Sequence, residues 1–419
     1  MQILFNVYNL DVSQCNTNLL FWLYLFLLES SIYHRSFLST SAIVSLTSFR
    51  RSSANFHVVY FQFKLDRQLF ATLHLSDVVL YDVGDGQPLV PAMFIFGDSV
   101  VDVGNNNNLF SLIKSNFPPY GRDFVNHNPT GRFCNGKLAS DFTAENLGFA
   151  SHQPAYLSGE ATGKSLLIGA NFASAGSGYY DATAKLFNAI SLSQQVEYYK
   201  EYQNKVVGIG GKVNATLIIS GAIYLVSAGS SDFVQNYYIN PLLNKVYTTD
   251  QFSNILMQSY ENFIQASPYR NLYALGARRI GVTTLPPLGC LPAAITIFGL
   301  GGNKCVAKLN GDAVSFNNKL NATSQYLQTK LPGLKLVVFD IYQPLYSLVM
   351  KPSENGFSEA RRACCGSGLL ETSILCNAKS TGTCANASEY VFWDGFHPSE
   401  AANKILADDL LSSGISLIF

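Results

Sequence analysis

The chain has 419 residues, of which 48% are hydrophobic and only 13% charged, and its 28 basic side chains balance its 28 acidic ones. This length allows one large domain or two ordinary domains, with enough apolar material for a substantial core. A chain without excess charge has no electrostatic footprint for nucleic acid or for an anionic membrane, so neither is an expected partner.

Residues 1–86 differ in character from the rest of the chain. Residues 19–28 form an apolar run of the length found in secretory signal peptides, too short for a comfortable membrane span. However, no Lys or Arg precedes this run and no clear small-residue cleavage site follows it. Short β-like runs occur around residues 58–63 and 78–81. We expect residues 1–86 to be either a poorly ordered leader of unassigned structure or a wrongly placed gene start, with the mature domain beginning near Gln87.

From Pro91 onward, apolar runs of strand length alternate with longer amphipathic stretches. The predicted strands cover residues 92–96, 167–172, 222–228, 279–285 and 334–339. The predicted helices cover residues 137–147, 192–206, 252–275, 306–331 and 399–411. Near-continuous apolar strands separated by helices are typical of a parallel sheet covered on both faces. We therefore predict a single α/β domain over residues 87–419, a three-layer α/β/α sandwich with a mainly parallel sheet and right-handed crossovers.

The predicted helix at residues 252–275 contains Pro268. A proline inside a helix removes a backbone hydrogen bond and costs about 3 kcal/mol. Either the helix breaks at this position, or residues 266–270 bulge out as an insertion.

The cysteines and the glycosylation sequons indicate an oxidising compartment. Six of the eight cysteines lie in the C-terminal third: Cys290, Cys305, Cys364, Cys365, Cys376 and Cys384. Disulfides of undetermined connectivity explain them better than zinc, because no pair has finger or ribbon spacing and Cys364 and Cys365 are adjacent. N-glycosylation sequons begin at Asn214, Asn321 and Asn386. Together these features favour a secreted protein.

Ser99 directly follows the first predicted strand. The apolar run at residues 92–96 stops at Gly97, and Asp98 and Ser99 then occupy the turn. Ligands of open α/β sheets bind outside the carboxyl ends of the strands. Ser99 is therefore either a nucleophile or, with Asp98, part of an N-cap on a following helix.

Histidine helps to decide between these readings, because general-base catalysis at neutral pH usually relies on it. Outside the leader, His127 and His152 lie in ordinary loops, whereas His397 lies in the segment WDGFHP at residues 393–398. Asp394, three residues before His397, can accept the imidazole Nδ1–H and fix its tautomer, as the acid of a Ser-His-Asp triad does. The alternative is a helix-entry turn in which Asp394 only binds local backbone N–H groups.

Two further strand ends are rich in small residues. Residues 169–178 read GANFASAGSG, and residues 227–233 read SAGSSDF. Small residues let the backbone approach a substrate and direct N–H groups at it, although each segment could be a plain strand-to-helix loop. Neither has the lysine or the glycine spacing of a phosphate-binding loop.

Taken together, these stretches resemble the plant GDSL esterase/lipase family within the SGNH hydrolases. The similarity covers roughly residues 87–411, and the family's first, second, third and fifth blocks match FIFGDSVVDVGNNN, NFASAGSGYYD, VSAGSSDF and VFWDGFHP in that order. The segment GARRIGVTTLPPLGCLP and the cysteine-rich segment that begins CCGSG are also similar to that family.

The resemblance implies a flavodoxin-like parallel sheet and a secreted serine esterase or lipase that uses no metal or organic cofactor. It assigns Ser99 as the nucleophile, Asp394 as the acid and His397 as the base. The oxyanion would be held by the Ser99 N–H, by the Gly176 N–H (with Gly178 as the fallback) and by a side chain of the third block. The implied substrate is a lipid or other small acyl ester, and the implied protein is a monomer of the apoplast or cell wall without a stable membrane span.

Two departures from the family pattern qualify this expectation. The third block commonly reads Gly-x-Asn-Asp, but Ser231 occupies the Asn position and carries a shorter donor. Losing one oxyanion donor costs a factor of about 10²–10³ in rate. Residues 266–270 also look like an addition to a family-like helix, or an error of the gene model. Two alternatives stay open: an acyltransferase using the same triad, and a catalytically weak secreted binding protein on the same scaffold.

Overall fold

The computed structural model describes residues 40–51, 54–65, 88–265, 271–366, 376–380 and 382–419. The chain divides into two compact units, Met1–Gly84 and Asp85–Phe419. In the first unit, strands β1 (Thr40–Arg51) and β2 (Ala54–Leu65) form an antiparallel pair.

The β-like run at residues 58–63 lies within β2. The signal-like run at residues 19–28 and the β-like run at residues 78–81 lie outside the described residues.

The second unit is built on a five-stranded sheet. Its strands are β3 (Met93–Gly97), β4 (Gly169–Asn171), β5 (Ile223–Ser227), β6 (Arg279–Thr283) and β7 (Lys335–Phe339). The strand order is β4-β3-β5-β6-β7, and every neighbouring pair is parallel. This is the flavodoxin-like order, in which the chain reverses direction across the sheet between β3 and β5 and ligands bind beside that point. The predicted α/β fold with a parallel sheet is confirmed.

Helices connect and flank the strands. They are α1 (Ala139–Asn146), α2 (Asp181–Lys185), α3 (Leu192–Gly221), α4 (Leu243–Val246), α5 (Thr249–Gln265), α6 (Pro292–Phe298), α7 (Ala307–Lys330), α8 (Tyr342–Met350), α9 (Glu400–Ser413) and α10 (Ile415–Ile418). Residues Asp232–Ile239 form a π-helix directly after β5. Strands β8 (Glu359–Ala363) and β9 (Tyr390–Phe392) form a small parallel pair near the end of the chain. None of the helices in the described part of the chain is long and apolar enough to cross a membrane.

An aromatic cluster packs around strand β3, which lies between β4 and β5 in the sheet. Every residue of β3 is buried, and the Phe94 ring lies 5.0–5.1 Å from the rings of Tyr199, Tyr202 and Tyr224. The buried hydroxyls are paired as well, since Tyr199 and Tyr224 hydrogen-bond each other at 2.6 Å and Tyr202 donates to the Leu166 carbonyl at 2.7 Å. Aromatic pairs of this kind contribute about 0.5–1.5 kcal/mol each beyond the burial of their area. The cluster therefore gives the turn after β3 a rigid base.

The five predicted strands coincide with β3 to β7, whereas two predicted helices have the wrong length. Helix α3 does not end at Val206 but continues to Gly221, with a break from helical geometry at Gly211 where φ is +78°. The helix predicted over residues 252–275 ends at Gln265, and residues 271–276 form a turn. Pro268 lies outside the described residues, so the choice between a broken helix and an insertion stays a prediction.

Candidate active site

Ser99 lies in the tight turn that follows β3. The Asp98 N–H donates to the Ser227 carbonyl at 3.0 Å, so the turn begins in register with β5. The Asp98 carboxylate then accepts the Val100 N–H at 3.1 Å, bridging over Ser99. Gly97 has φ +143°, and a Cβ there would lie 1.9 Å from the Ser227 carbonyl oxygen, so only glycine fits. No helix begins at this turn, so Asp98 and Ser99 are not an N-cap.

His397 contacts Ser99 from the opposite end of the chain. Its Nε2 lies 2.7 Å from Ser99 Oγ, and its Nδ1 lies 2.7 and 2.9 Å from the two carboxylate oxygens of Asp394. Asp394 is fully buried and His397 is 5% exposed. The structure thus brings together, in hydrogen-bonding order, the three residues that the sequence singled out as nucleophile, base and acid.

The turn that carries His397 is held by the same carboxylate. Asp394 Oδ1 accepts the backbone N–H groups of Phe396 at 2.9 Å and His397 at 3.0 Å. The Trp393 N–H donates to the His397 carbonyl at 2.8 Å, and Ser399 then caps α9 by accepting the Ala402 N–H at 3.3 Å. Asp394 therefore closes the turn and also orients the imidazole, so the two roles weighed for it are compatible.

Tyr120 completes the surroundings of the buried carboxylate. Its hydroxyl donates to Asp394 Oδ2 at 2.7 Å, and its own ring is buried. Burial alone would raise the pKa of Asp394, but the nearby His397 and the hydrogen bonds from His397, Phe396 and Tyr120 bring the pKa below its ordinary value. The carboxylate is therefore ionised and can balance a positive charge on the imidazole.

The small-residue segment at residues 169–178 is hydrogen-bonded to the segment that follows Ser99. Asp102 accepts the Ala175 N–H at 2.9 Å, and Asn106 donates to the Ala175 carbonyl at 2.8 Å. Gly176 follows with φ +85°. Within the described part of the chain, neither the Ser99 N–H nor the Gly176 N–H donates a hydrogen bond, and of these two residues Ser99 lines the cavity over the site.

Gly178 packs against Asp232, which lies in the small-residue segment at residues 227–233. A Cβ at Gly178 would lie 2.2 Å from Asp232 Oδ1. The same carboxylate accepts the Tyr179 N–H at 2.7 Å and the Thr183 hydroxyl at 2.5 Å. Burial raises the pKa of Asp232 to about 7, against the lowering effect of these hydrogen bonds. The contact between Gly178 and Asp232 thus packs the segment at residues 169–178 against the segment at residues 227–233.

Ser231 lies beside the turn that carries Ser99, and its backbone N–H is hydrogen-bonded whereas, within the described part of the chain, its hydroxyl is not. Its backbone N–H donates to the Asp98 carboxyl group. Its hydroxyl has no hydrogen-bond partner among the described residues, and the residue lines the central cavity. Burial raises the pKa of Asp98 to about 6, while the hydrogen bonds from Val100 and Ser231 and the nearby His397 lower it. Only the Ser231 hydroxyl is therefore available to a bound substrate.

A cavity of about 720 Å³, including its open mouth, lies over the Ser99–His397 pair. Its polar lining includes Ser99, Ser230, Ser231, Gln235, Thr284 and His397. Its apolar lining includes Val234, Leu291, Ile341, Leu345, Phe396 and Leu406. Gly176 does not line this cavity.

Gln195 is a positioning residue that the sequence did not indicate. From α3, its Nε2 donates to the Gly97 carbonyl at 2.9 Å, and its Oε1 accepts the Gly97 N–H at 2.9 Å. The side chain is fully buried. A glutamine in an amphipathic helix ordinarily faces solvent, so the helical pattern did not indicate this contact. The contact of Tyr120 with Asp394 was not indicated by any local pattern either.

The six cysteines of the C-terminal third form three disulfides. The pairs are Cys290–Cys305, Cys364–Cys384 and Cys365–Cys376. The expectation of disulfides is confirmed, and the connectivity is now assigned. In the described residues no group of His, Cys, Asp or Glu side chains could hold a metal ion.

The other predicted positions lie away from the cavity. His127 contacts the Arg122 carbonyl at 2.5 Å, and His152 contacts Glu145 at 3.0 Å. The three sequon asparagines are all exposed: Asn214, Asn321 and Asn386.

Comparison with known proteins agrees with this geometry. The family model of the GDSL-like lipase/acylhydrolases matches residues 93–410. The chain is 70% identical over 344 residues to GDSL esterase/lipase At5g22810 of Arabidopsis thaliana, a match that covers 81% of this chain and 94% of that protein. It is 66% identical over 338 residues to GDSL esterase/lipase At5g03820 of the same plant, covering 80% and 94% of the two chains.

A third relative is similar over a comparable length. GDSL esterase/lipase APG of Arabidopsis thaliana is 62% identical over 331 residues, covering 79% of this chain and 92% of that protein. A family match over most of the chain, on a parallel α/β sheet of the SGNH type, leads to one conclusion: the chain belongs to the GDSL-like lipase/acylhydrolase family and is a carboxylic ester hydrolase.

Proposed function

We propose that this protein hydrolyses esters of lipids or other acyl groups through an acyl-enzyme formed on Ser99. The observation that carries the proposal is the continuous chain of contacts from Ser99 Oγ to His397 Nε2 at 2.7 Å and from His397 Nδ1 to Asp394 at 2.7 Å. A nucleophile, a base and an orienting acid within hydrogen-bonding distance are the requirements of nucleophilic catalysis on an ester.

In the first half-reaction, Ser99 Oγ attacks the ester carbonyl carbon while its proton passes to His397 Nε2. Asp394 keeps the Nδ1 proton in place and balances the charge of the imidazolium. The oxyanion of the tetrahedral intermediate would accept the N–H groups of Ser99 and Gly176, with the Ser231 hydroxyl as a third donor. Such donors act most strongly when they are fixed before the charge develops, and the hydrogen bonds that hold both loops provide this rigidity.

The intermediate collapses when the bond to the leaving alcohol breaks and His397 gives its proton to the departing oxygen. The acyl group is now esterified to Ser99. A water molecule then attacks the acyl carbon, and His397 accepts one of its protons. Collapse of the second intermediate releases the carboxylic acid and returns the proton to Ser99 Oγ.

We further propose that residues 87–419 are the catalytic domain and that the protein acts outside the cell, in the apoplast or cell wall, as a monomer. Three disulfides support an oxidising compartment. The exposure of Asn214, Asn321 and Asn386 leaves each sequon accessible for glycosylation. Peptide-N-glycosidase treatment of the plant protein should lower its apparent mass, and an unchanged mass would contradict glycosylation.

A fluorophosphonate probe tests the nucleophile directly. The wild-type protein should be labelled and Ser99→Ala should not. Ser230→Ala is the matched control, because it removes a different hydroxyl from the same cavity and should leave labelling intact. Equal labelling of wild type and Ser99→Ala, or labelling of neither, would overturn the assignment. His397→Ala should lose most turnover of 4-nitrophenyl butyrate, and full activity in that variant would exclude it as the base.

A further inference from the structure

The side chain of Gln235 carries a buried oxygen, Oε1, without a hydrogen-bond partner among the described residues. Gln235 lies in the π-helix Asp232–Ile239 and lines the same cavity as Ser99 and His397. An unpaired buried polar group is unfavourable, because it has lost its hydrogen bonds to water without gaining others. In a residue that lines a ligand cavity, this cost disappears when the ligand supplies the partner.

Gln235 lies one helical turn after two serines that line the same cavity, Ser230 and Ser231. π-Helical turns are rare and are frequently found at functional sites. The Ser231 N–H donates to the carboxyl group of Asp98, the residue before the nucleophile Ser99. The row of polar side chains formed by Ser230, Ser231 and Gln235 therefore begins next to the expected position of the scissile ester.

The remaining lining limits what the partner of Gln235 can be. Leu291, Ile341, Leu345 and Leu406 supply an apolar surface, and no Asp, Glu, Lys or Arg is among the described residues that line the cavity. A charged ligand group would therefore be desolvated without a counter-charge, which is strongly unfavourable. A neutral polar group on an otherwise apolar substrate avoids that penalty.

A hydroxyl group fits these conditions best. A primary amide has an acceptor oxygen and a donor nitrogen, which exchange places when the group rotates by 180°, and a hydroxyl can pair with either because it both donates and accepts. We propose that Gln235 is a specificity-determining residue that binds a hydroxyl group of the substrate near the scissile ester, so that hydroxylated esters are preferred over plain ones. This inference rests on the proposed esterase function.

The hydroxyl could belong to the acyl part or to the alcohol part of the ester, and two pairs of substrates separate these sources. The first pair is 4-nitrophenyl 3-hydroxybutyrate and 4-nitrophenyl butyrate. The second pair is glyceryl monobutyrate and propyl butyrate. We expect the wild type to prefer the hydroxylated member of at least one pair by about tenfold in kcat/KM, the effect of one well-made hydrogen bond.

Gln235→Met keeps the length of the side chain and Gln235→Leu keeps roughly its bulk, and neither carries the amide group. Both should reduce the preference to near unity by raising KM for the hydroxylated ester, with little change for the plain ester. Gln194→Leu, at an exposed position on α3, is the control and should keep the wild-type ratio. Fluorophosphonate labelling and thermal unfolding verify that each variant is folded, and the methionine variant replaces the leucine variant if the latter fails.

The outcomes separate the inference from the function on which it rests. A wild type that hydrolyses all four esters without preference, or a preference that both variants retain, overturns the role of Gln235 and leaves the esterase function in place. A wild type that hydrolyses none of them and takes up no fluorophosphonate overturns both.

Discussion

The Tyr120 hydroxyl donates a 2.7 Å hydrogen bond to Oδ2 of Asp394, a residue 274 positions further along the chain. This contact gives the buried carboxylate a donor on the side that the backbone of its own turn does not reach, since the N–H groups of Phe396 and His397 both bind Oδ1. Tyr120 is thereby a positioning residue that acts on the reaction through Asp394 and His397.

Tyr120→Phe should lower kcat/KM for 4-nitrophenyl butyrate by about 10- to 100-fold, because a hydrogen bond to a charged group contributes about 1.5–3 kcal/mol. The variant also loses one of the bonds that lower the pKa of Asp394. Activity that requires ionised Asp394 should therefore be lost at a higher pH than in the wild type, which moves the acidic limb of the pH–rate profile upward.

Tyr202→Phe is the matched control for this change. It also removes one buried hydroxyl, which donates to the Leu166 carbonyl, but the ring packs in the core around β3. It should cost stability without moving the pH profile. Identical profiles for wild type and Tyr120→Phe would show that the contact is only structural.

Ser231→Asn should raise kcat. The side-chain amide extends further than a hydroxyl and carries N–H donors, so it can reach an oxyanion on Ser99 that the serine reaches poorly. We expect an increase of about tenfold, smaller than the full effect of an oxyanion donor because the N–H groups of Ser99 and Gly176 would already contribute. Steady-state kinetics with 4-nitrophenyl acetate provide the measurement. If Ser231→Ala is as active as the wild type and Ser231→Asn is no faster, the position takes no part in stabilising the oxyanion.

Asp98 should make the folded protein less stable as the pH rises through the weakly acidic range. Burial raises its pKa to about 6 from an ordinary value of 3.8, so between these values the unfolded chain releases the proton and the folded protein retains it. The free energy of unfolding therefore falls between about pH 4 and pH 6 by up to about 3 kcal/mol from this residue, and the loss persists at higher pH.

Asp98→Asn removes this titration, so its stability relative to the wild type should improve by a comparable amount from pH 4 to pH 7. Urea unfolding at several pH values measures the difference, and any pH-independent cost of the amide cancels in the slope. Asp250→Asn, at an exposed carboxylate, should give a curve nearly parallel to the wild type. Parallel curves for Asp98→Asn as well would contradict the prediction.

The Cys364–Cys384 disulfide should support both stability and activity. The Cys364 N–H donates to the Phe392 carbonyl at 3.0 Å, and the adjacent Cys365 N–H donates to the Trp393 carbonyl at 2.7 Å, directly before Asp394. The double variant Cys364→Ser/Cys384→Ser opens a loop with a sequence separation of 20 residues, which costs about 3 kcal/mol of stability. We also expect a lower kcat, because the backbone next to Asp394 loses a fixed support.

Cys134→Ser controls for the loss of sulfur alone, because Cys134 is a buried free thiol. It should retain kcat better than the double variant does. Thermal unfolding and ester turnover on the same preparations give both quantities. A double variant with wild-type kcat would show that the disulfide does not support the geometry of the active site.

The sheet was predictable because each of its strands is a short apolar run bounded by glycine, proline or polar residues, as Met93–Gly97 illustrates. The length of α3 was not predictable from the sequence. The glycines around Gly211 disfavour a helix locally, but the packing of α3 on the core keeps this segment helical. The π-helix Asp232–Ile239 was equally inaccessible, because residue spacing alone does not distinguish one helical register from another.

For the candidate site, the sequence predicted the residues whose chemistry is unusual and missed those whose role arises from distant packing. Ser99 at a strand end and His397 after Asp394 have recognisable local settings, and the structure brings them into contact. Tyr120 and Gln195 have none, because their partners Asp394 and Gly97 lie 274 and 98 positions away. Such contacts depend on the tertiary fold, which no local pattern encodes.

The separation of 298 positions between Ser99 and His397 also has a consequence for folding kinetics. Contacts between residues far apart in sequence carry a large loop-closure entropy and tend to form late. The helices and the turns at each end of the domain can appear while this pair is still apart. During refolding, ester turnover should therefore recover later than the far-ultraviolet circular dichroism signal. The delay between the two signals measures how long Ser99 and His397 take to come into contact after the secondary structure has formed.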